Sequence, residues 1–319
     1  MNNYKIIRFV IFIIFCGNFC FFFNNSNASS NIKIIVKINN SIITNEDINY
    51  ETNYLIALNE DLKKLKKEEV YKIAKISLIK EKIKRNEIKK YIDIQGINNE
   101  ELIDKIIGDI YKRLGYDSIS DFETYLKTFK LSTNEVKKKL NIEMLWNQLI
   151  AVKYKDRINI NEEKIRKKIR EEKINYQNLI EYDLSEIIFS AKNTEELTSK
   201  TKKIKEAIIN TSFETAANKF SISDTANFGG NIGKVNENQL SFIIKNELQK
   251  IDINEFTDPI NVGNNFLIIK INKKNFINLE LDENEIVKRM ISIEKKKQYE
   301  NFSLIYYNKV KLNSQIDEF

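Results

Sequence analysis

The chain has 319 residues, 42% of them hydrophobic, and its 52 Lys and Arg against 45 Asp and Glu leave a net charge of +7. That length fits two domains with ample apolar material for their cores. It contains no His and two Cys, Cys16 and Cys20, which excludes a Ser–His or Cys–His nucleophile and a His-containing zinc site. A metal would have to be a hard cation held by carboxylates alone, and no motif implies a metal or any other cofactor. The basic excess is part of an Ile/Lys/Asn enrichment spread along the whole chain rather than a patch, so a nucleic-acid partner is not expected.

Residues 1–28 read as an export signal. Lys5 and Arg8 give a positive start, Phe9–Phe23 is an apolar run broken only by Gly17-Asn18, and Ser26-Asn27-Ala28 supplies small residues for cleavage near Ala28. The run falls short of the roughly 20 residues a spanning helix needs. The competing reading is an uncleaved anchor. Cleavage removes both cysteines, so the exported chain has no thiol chemistry. The compartment implied is the periplasm, with no stable membrane insertion.

Ile34–Ile38 and Ser41–Ile43 read as two short strands around the Asn39-Asn40 turn, and Thr44-Asn45-Glu46-Asp47 as a helix N-cap. A charged helix is expected over Glu68–Lys90. Leu102, Ile103, Ile106, Ile107, Ile110 and Leu114 line one face of another, ended by Gly115. Ser120 with Glu123 and Ser132 with Glu135 fit capping boxes that start two more helices. Phe122, Tyr125, Leu126 and Phe129, then Val136, Leu140, Trp146, Leu149, Ile150 and Tyr154, form their apolar stripes. Core packing is the simpler role for these aromatics; a peptide-binding crevice is the sharper one.

Arg157–Asn161 breaks the helical rhythm and reads as a linker, followed by a charged helix over Glu162–Lys173. A strand follows at Tyr182–Phe189, then helices over Thr194–Asn210 and Phe213–Phe220 and the loop Ser221-Ile222-Ser223-Asp224. Next come Gly229-Gly230-Asn231-Ile232-Gly233, a helix near Leu240–Leu248, the turn Thr257-Asp258-Pro259-Ile260 and a strand over Asn265–Ile271. The chain has eight Gly and one Pro; Gly229, Gly230, Gly233, Gly263 and Pro259 all fall here, which marks obligatory turns. The Gly-rich run is no phosphate cradle, because no Lys-Ser/Thr pair follows it. Asp282–Asn308 reads as one long helix, and Lys309-Val310-Lys311-Leu312 as a closing strand.

The stretch Glu181–Lys273 resembles the parvulin family of peptidyl-prolyl isomerases, and the chain around it resembles the SurA-like periplasmic chaperones. The resemblance implies an α+β fold. In it, a mostly helical N-terminal module (29–160) is completed by a C-terminal helix and strand (274–319), and a linker helix (161–180) leads to a parvulin-like domain (181–273) with a small antiparallel sheet. At the positions where active relatives carry imidazoles this chain has Glu186 and Leu267, and Ser223 stands where an Asp or Cys is common. No catalytic residue is assigned with these replacements. The resemblance places the prolyl-binding surface at Ile232, Leu240, Ile244 and Phe266; the plainer reading of the apolar positions is ordinary core. It also implies unfolded or extended polypeptides as partners, outer-membrane β-barrel precursors among them, and contact with the barrel-assembly machinery. Two activities follow: a holding chaperone whose isomerase site has lapsed, or an isomerase that works without His.

Overall fold

A computed structural model of the chain describes residues 32–91, 100–171, 179–277 and 283–319. The export signal and its cleavage point near Ala28 lie outside the described residues. Ile34–Ile38 (β1) and Ser41–Thr44 (β2) pair antiparallel across the Asn39-Asn40 turn. Asn39 takes a left-handed φ of 50°, a conformation that Asn tolerates better than most residues. Thr44 caps α1 (Asn45–Leu58): its hydroxyl accepts the Asp47 N–H at 3.1 Å, and the Asp47 carboxylate accepts the Thr44 N–H at 2.7 Å.

Four helices follow: α2 (Lys67–Ile88), α3 (Glu100–Arg113), α4 (Ile119–Thr128) and α5 (Thr133–Tyr154). The α5 cap is the expected Ser132–Glu135 box. The α4 cap is not Ser120 with Glu123: Ser118 takes the Asp121 N–H at 3.2 Å, and Ser120 lies inside the helix with its carbonyl accepting the Thr124 hydroxyl. Two overlapping Ser-x-x-acid patterns compete here, and the earlier one gains additional helical bonds. Val36, Ile43, Leu55, Ile73, Phe122, Leu126 and Leu140 interlock in one core. The aromatics are therefore mostly structural: Phe122 and Trp146 are fully buried, and Tyr125 meets Phe129 edge-on at 5.1 Å.

This core also holds charges. Lys139 reaches Glu51 and Glu81, each at 2.5 Å, and Ser77 donates to Glu51 at 2.6 Å. A buried cation with two carboxylates stays charged, and burial opposes that less strongly than the two carboxylates favour it.

The chain's end returns to this module. In α10 (Glu283–Leu312), Tyr306 stacks on Trp146 at 5.6 Å and donates to Glu87, while Ser303 accepts the indole N–H of Trp146 at 2.8 Å. Lys309–Leu312, expected as a strand, is the last turn of this helix, held there by Val310 packing against the helical core. The strand comes later, β7 (Ile316–Glu318), and pairs antiparallel with β1 to give the order β2-β1-β7. Helix α6 (Glu162–Glu171) lays Ile169 against Ile286 and Val287 of α10.

Between α6 and α10 lies a second sheet, all antiparallel, in the order β4-β3-β6-β5. Its strands are β3 (Leu179–Phe189), β4 (Asn231–Asn236), β5 (Ile260–Val262) and β6 (Asn265–Ile277). Helices α7 (Thr194–Asn210) and α8 (Phe213–Phe220) are capped by Asn193 and Ser212. Helix α9 (Phe242–Leu248), capped by Ser241, starts slightly later than the expected Leu240. Among the described residues no helix is long and apolar enough to cross a membrane.

Candidate functional site

The site is built on β3 and β6, which pair along their whole length with Glu186 opposite Ile269, Ile187 opposite Ile268, Ile188 opposite Leu267 and Phe189 opposite Phe266. Successive side chains point to opposite faces. Ile187, Phe189, Phe266 and Ile268 face helices α7 and α8, where Ile204, Phe213, Ala216 and Ala217 close the core. The other face carries Tyr182, Leu184, Leu267, Ile269 and Ile271, covered by Leu248 of α9.

This alternation divides the expected prolyl-binding residues. Ile232, Leu240 and Ile244 are half-buried and pack together on the face that carries Leu267. Phe266 does not join them: it lies on the helix-covered face with its ring 5.8 Å from Phe189. It immediately precedes Leu267 in the strand, so the two cannot share a face. Leu267 itself is 6% exposed, inside the apolar cluster. No polar atom stands at that position to meet a substrate.

Glu186 and Ser223 are brought together. Ser223 Oγ donates to Glu186 Oε1 at 2.7 Å, and Thr225 Oγ1 reaches the same oxygen at 3.0 Å. The turn that carries them is the 3-10 segment Asp224–Phe228, capped by Ser223 and closed by Gly229 at a φ of +66°. Gly230 follows at +76°, and a Cβ there would stand 2.2 Å from the Glu186 carbonyl oxygen, so only Gly permits this approach. The Glu186 N–H donates to the Gly230 carbonyl at 2.8 Å, tying strand to turn. Burial pushes the Glu186 carboxyl above its ordinary value, against the pull of the two hydroxyls. The group is a carboxylate with occupied lone pairs on one oxygen, not an imidazole substitute.

Asp224, on the same turn, points to the helical module. Its carboxylate lies 2.7 Å from Lys80 and 2.9 Å from Lys84, both on α2, and Lys80 also donates to the Ser223 carbonyl at 3.2 Å. Lys84 is fully buried, with Glu143 of α5 at 2.5 Å and the Trp146 ring beneath it at 5.5 Å. Burial raises the cost of the Asp224 charge, but Lys80 and Lys84 outweigh it and hold the carboxyl well below its usual range. Lys296 and Glu300 of α10 bring further charge to this side: Lys296 favours the ionised Glu186 and Glu300 feels the Glu186 charge. Among the described residues no three or more metal-type side chains cluster.

Thr225, Asp224, Lys80, Lys84 and Glu143 are absent from the sequence-based site. Ser221-Ile222-Ser223-Asp224 contains the acid, and Lys80 and Lys84 sit one turn apart beside the apolar stripe of α2. Neither signal says that they meet.

Residues 179–273 match the Rotamase family model, described as the PPIC-type PPIASE domain. Chaperone SurA of Pseudomonas putida is 25% identical over 185 residues, which are 56% of this chain and 43% of that protein. The chain thus spans less than half the length of the curated relative it matches. A solved structure of a SurA-like chaperone from Campylobacter jejuni is 15% identical, covers 90% of this chain and 98% of its own, and has a TM-score of 0.34. PrsA, a peptidylprolyl isomerase from Bacillus anthracis, is 17% identical, covers 76% of this chain and 98% of its own, and has a TM-score of 0.32. Residues 179–273 are a PPIC-type domain, and the chain around them resembles SurA-like chaperones.

Proposed function

We propose that this chain is an exported folding factor of the periplasm, delivered by a cleavable signal ending near Ala28, that holds unfolded outer-membrane β-barrel precursors. Its working parts are the helical module, running from β1 to α5 and completed by α10 and β7, a linker that carries α6 (Glu162–Glu171), and the PPIC-type domain of residues 179–273. Its partners are extended polypeptides and, downstream, the barrel-assembly machinery. The observation that carries the reading is the pair of replacements in the isomerase site. Leu267 is sealed in an apolar cluster, and Glu186 is tied to Ser223 and Thr225. Rotation about a prolyl bond faces a barrier of roughly 18–20 kcal/mol, and lowering it requires groups that favour the twisted imide over the ground state. A domain without those groups still offers apolar surface and strand edges to an extended chain.

The test is light scattering from a denatured barrel protein diluted into buffer with increasing amounts of the full chain. Near-stoichiometric suppression of aggregation supports holding. Scattering unchanged at excess chain refutes it.

A second reading, an isomerase that works without His, is favoured by one observation: Ile232, Leu240 and Ile244 stay half-buried together on one sheet face. Under that reading a proline peptide turns over faster with the chain present, and Leu240→Ala or Ile244→Ala removes the acceleration while Glu186→Ala leaves it.

A further inference from the structure

The turn after α8 is held from two sides at once. Within its own domain, Ser223 and Thr225 donate to Glu186. Across the boundary, the Ser223 carbonyl and the Asp224 carboxylate meet Lys80, and Asp224 also meets Lys84. We propose that Lys80 and Lys84 form a socket for Asp224, and that this socket latches the PPIC-type domain onto the helical module with the Glu186 side of the domain turned inward.

The construction of the socket supports a docking role over a fold-stabilising one. Lys84 has its own partner in Glu143 and stays paired when Asp224 leaves, so the helical module does not need the acid to keep its buried cation satisfied. Both ion pairs that Asp224 makes among the described residues cross to α2. The contacts around the socket are mostly polar, with Phe228 of the same turn packing against the helical core. Asn59 donates to Asn218 at 2.7 Å, Lys219 meets Glu69 at 2.5 Å, and Arg113 reaches the Phe228 carbonyl at 3.5 Å. An interface of this composition comes apart without exposing a large apolar core. Ser223 belongs to both the socket and the Glu186 cluster, so release of the latch and rearrangement of that cluster are mechanically linked.

Hydrogen exchange on the full-length chain tests this, comparing wild type with Asp224→Asn, Lys80→Met and the double variant. The Ile222–Gly230 amides report the turn, the β3–β6 amides report the fold of the PPIC-type domain, and the β1–β7 amides report the helical module. The latch predicts that each single variant speeds exchange at Ile222–Gly230 by about tenfold, the effect of losing roughly 1.4 kcal/mol, with both reporters of fold unchanged. It predicts that the double variant speeds exchange by less than the product of the two single effects, because both variants remove the Asp224–Lys80 pair. It also predicts a larger radius of gyration by small-angle scattering for every variant. The proposal is overturned by unchanged exchange at the turn in Lys80→Met, by effects that simply multiply in the double variant, or by loosening that spreads equally into β3–β6.

Discussion

The helical module and the PPIC-type domain satisfy their buried charges in different ways. In the helical module a cation is central: Lys139 lies between Glu51 and Glu81, and Tyr54 sits beneath it at 4.8 Å. The PPIC-type domain has apolar cores on both faces of its sheet, and its site carboxylate, Glu186, sits half-buried on an inner strand where two hydroxyls hold it. The first arrangement fixes which helix faces meet, because a buried charge tolerates only a register that pairs it. The second depends on backbone geometry, and above all on Gly230. The two regions should therefore break in different ways.

The largest effect is expected in the helical module. Lys139→Ala leaves the buried Glu51 without its cation and Glu81 with Arg85 alone, and denaturant unfolding should show a loss of about 3–5 kcal/mol. Gly230→Ala comes next, at about 3 kcal/mol or more, because its Cβ would collide with the Glu186 carbonyl and the residue sits at a φ of +76°. Gly233 has the same φ, but a methyl group added there would meet nothing within 4 Å, so Gly233→Ala should cost only the backbone strain, about 1–2 kcal/mol. Equal losses for the two glycines would contradict the close-approach argument. Both glycine variants should leave the β1–β7 amides protected, whereas Lys139→Ala should expose them.

The smallest effect is a change in pH dependence. The folded-state pKa of Glu186 lies above its unfolded value, so its contribution favours folding below the unfolded pKa and is lost as pH rises through the folded one. Glu186→Gln keeps an oxygen for Ser223 and Thr225 and removes the charge. It should therefore be as stable as wild type or slightly more stable, by less than about 1 kcal/mol, at neutral pH. At pH 4 that advantage should vanish or reverse. A Gln variant that is less stable at pH 7 than at pH 4, relative to wild type, would reverse the sign assigned to Glu186.

Local signals made much of this fold legible in the sequence. Thr194–Asn210 and Phe213–Phe220 read as helices in the sequence and form α7 and α8 with the same bounds, to which the structure adds the caps Asn193 and Ser212. Strand and turn signals place β1, β2, β3 and β6. Lys309–Leu312 misleads because Lys-Val-Lys-Leu alternates like a strand, while packing of Val310 keeps it helical. In the site, the pairing of Glu186 with Ser223 was within reach through family resemblance. The division of Phe266 from Leu267 follows from strand alternation, which the strand assignment already contained. The Asp224 socket was out of reach: its partners lie about 140 residues away in sequence, and no local pattern encodes which acid meets a buried lysine.

The central claim is that the PPIC-type domain grips polypeptide without speeding prolyl rotation. Its most direct test is a protease-coupled assay of a proline-containing peptide with the full chain in large excess. The account predicts relaxation at the uncatalysed rate, roughly tens of seconds at 25 °C, unchanged by Leu240→Ala. Acceleration of about tenfold or more that Leu240→Ala abolishes would contradict it.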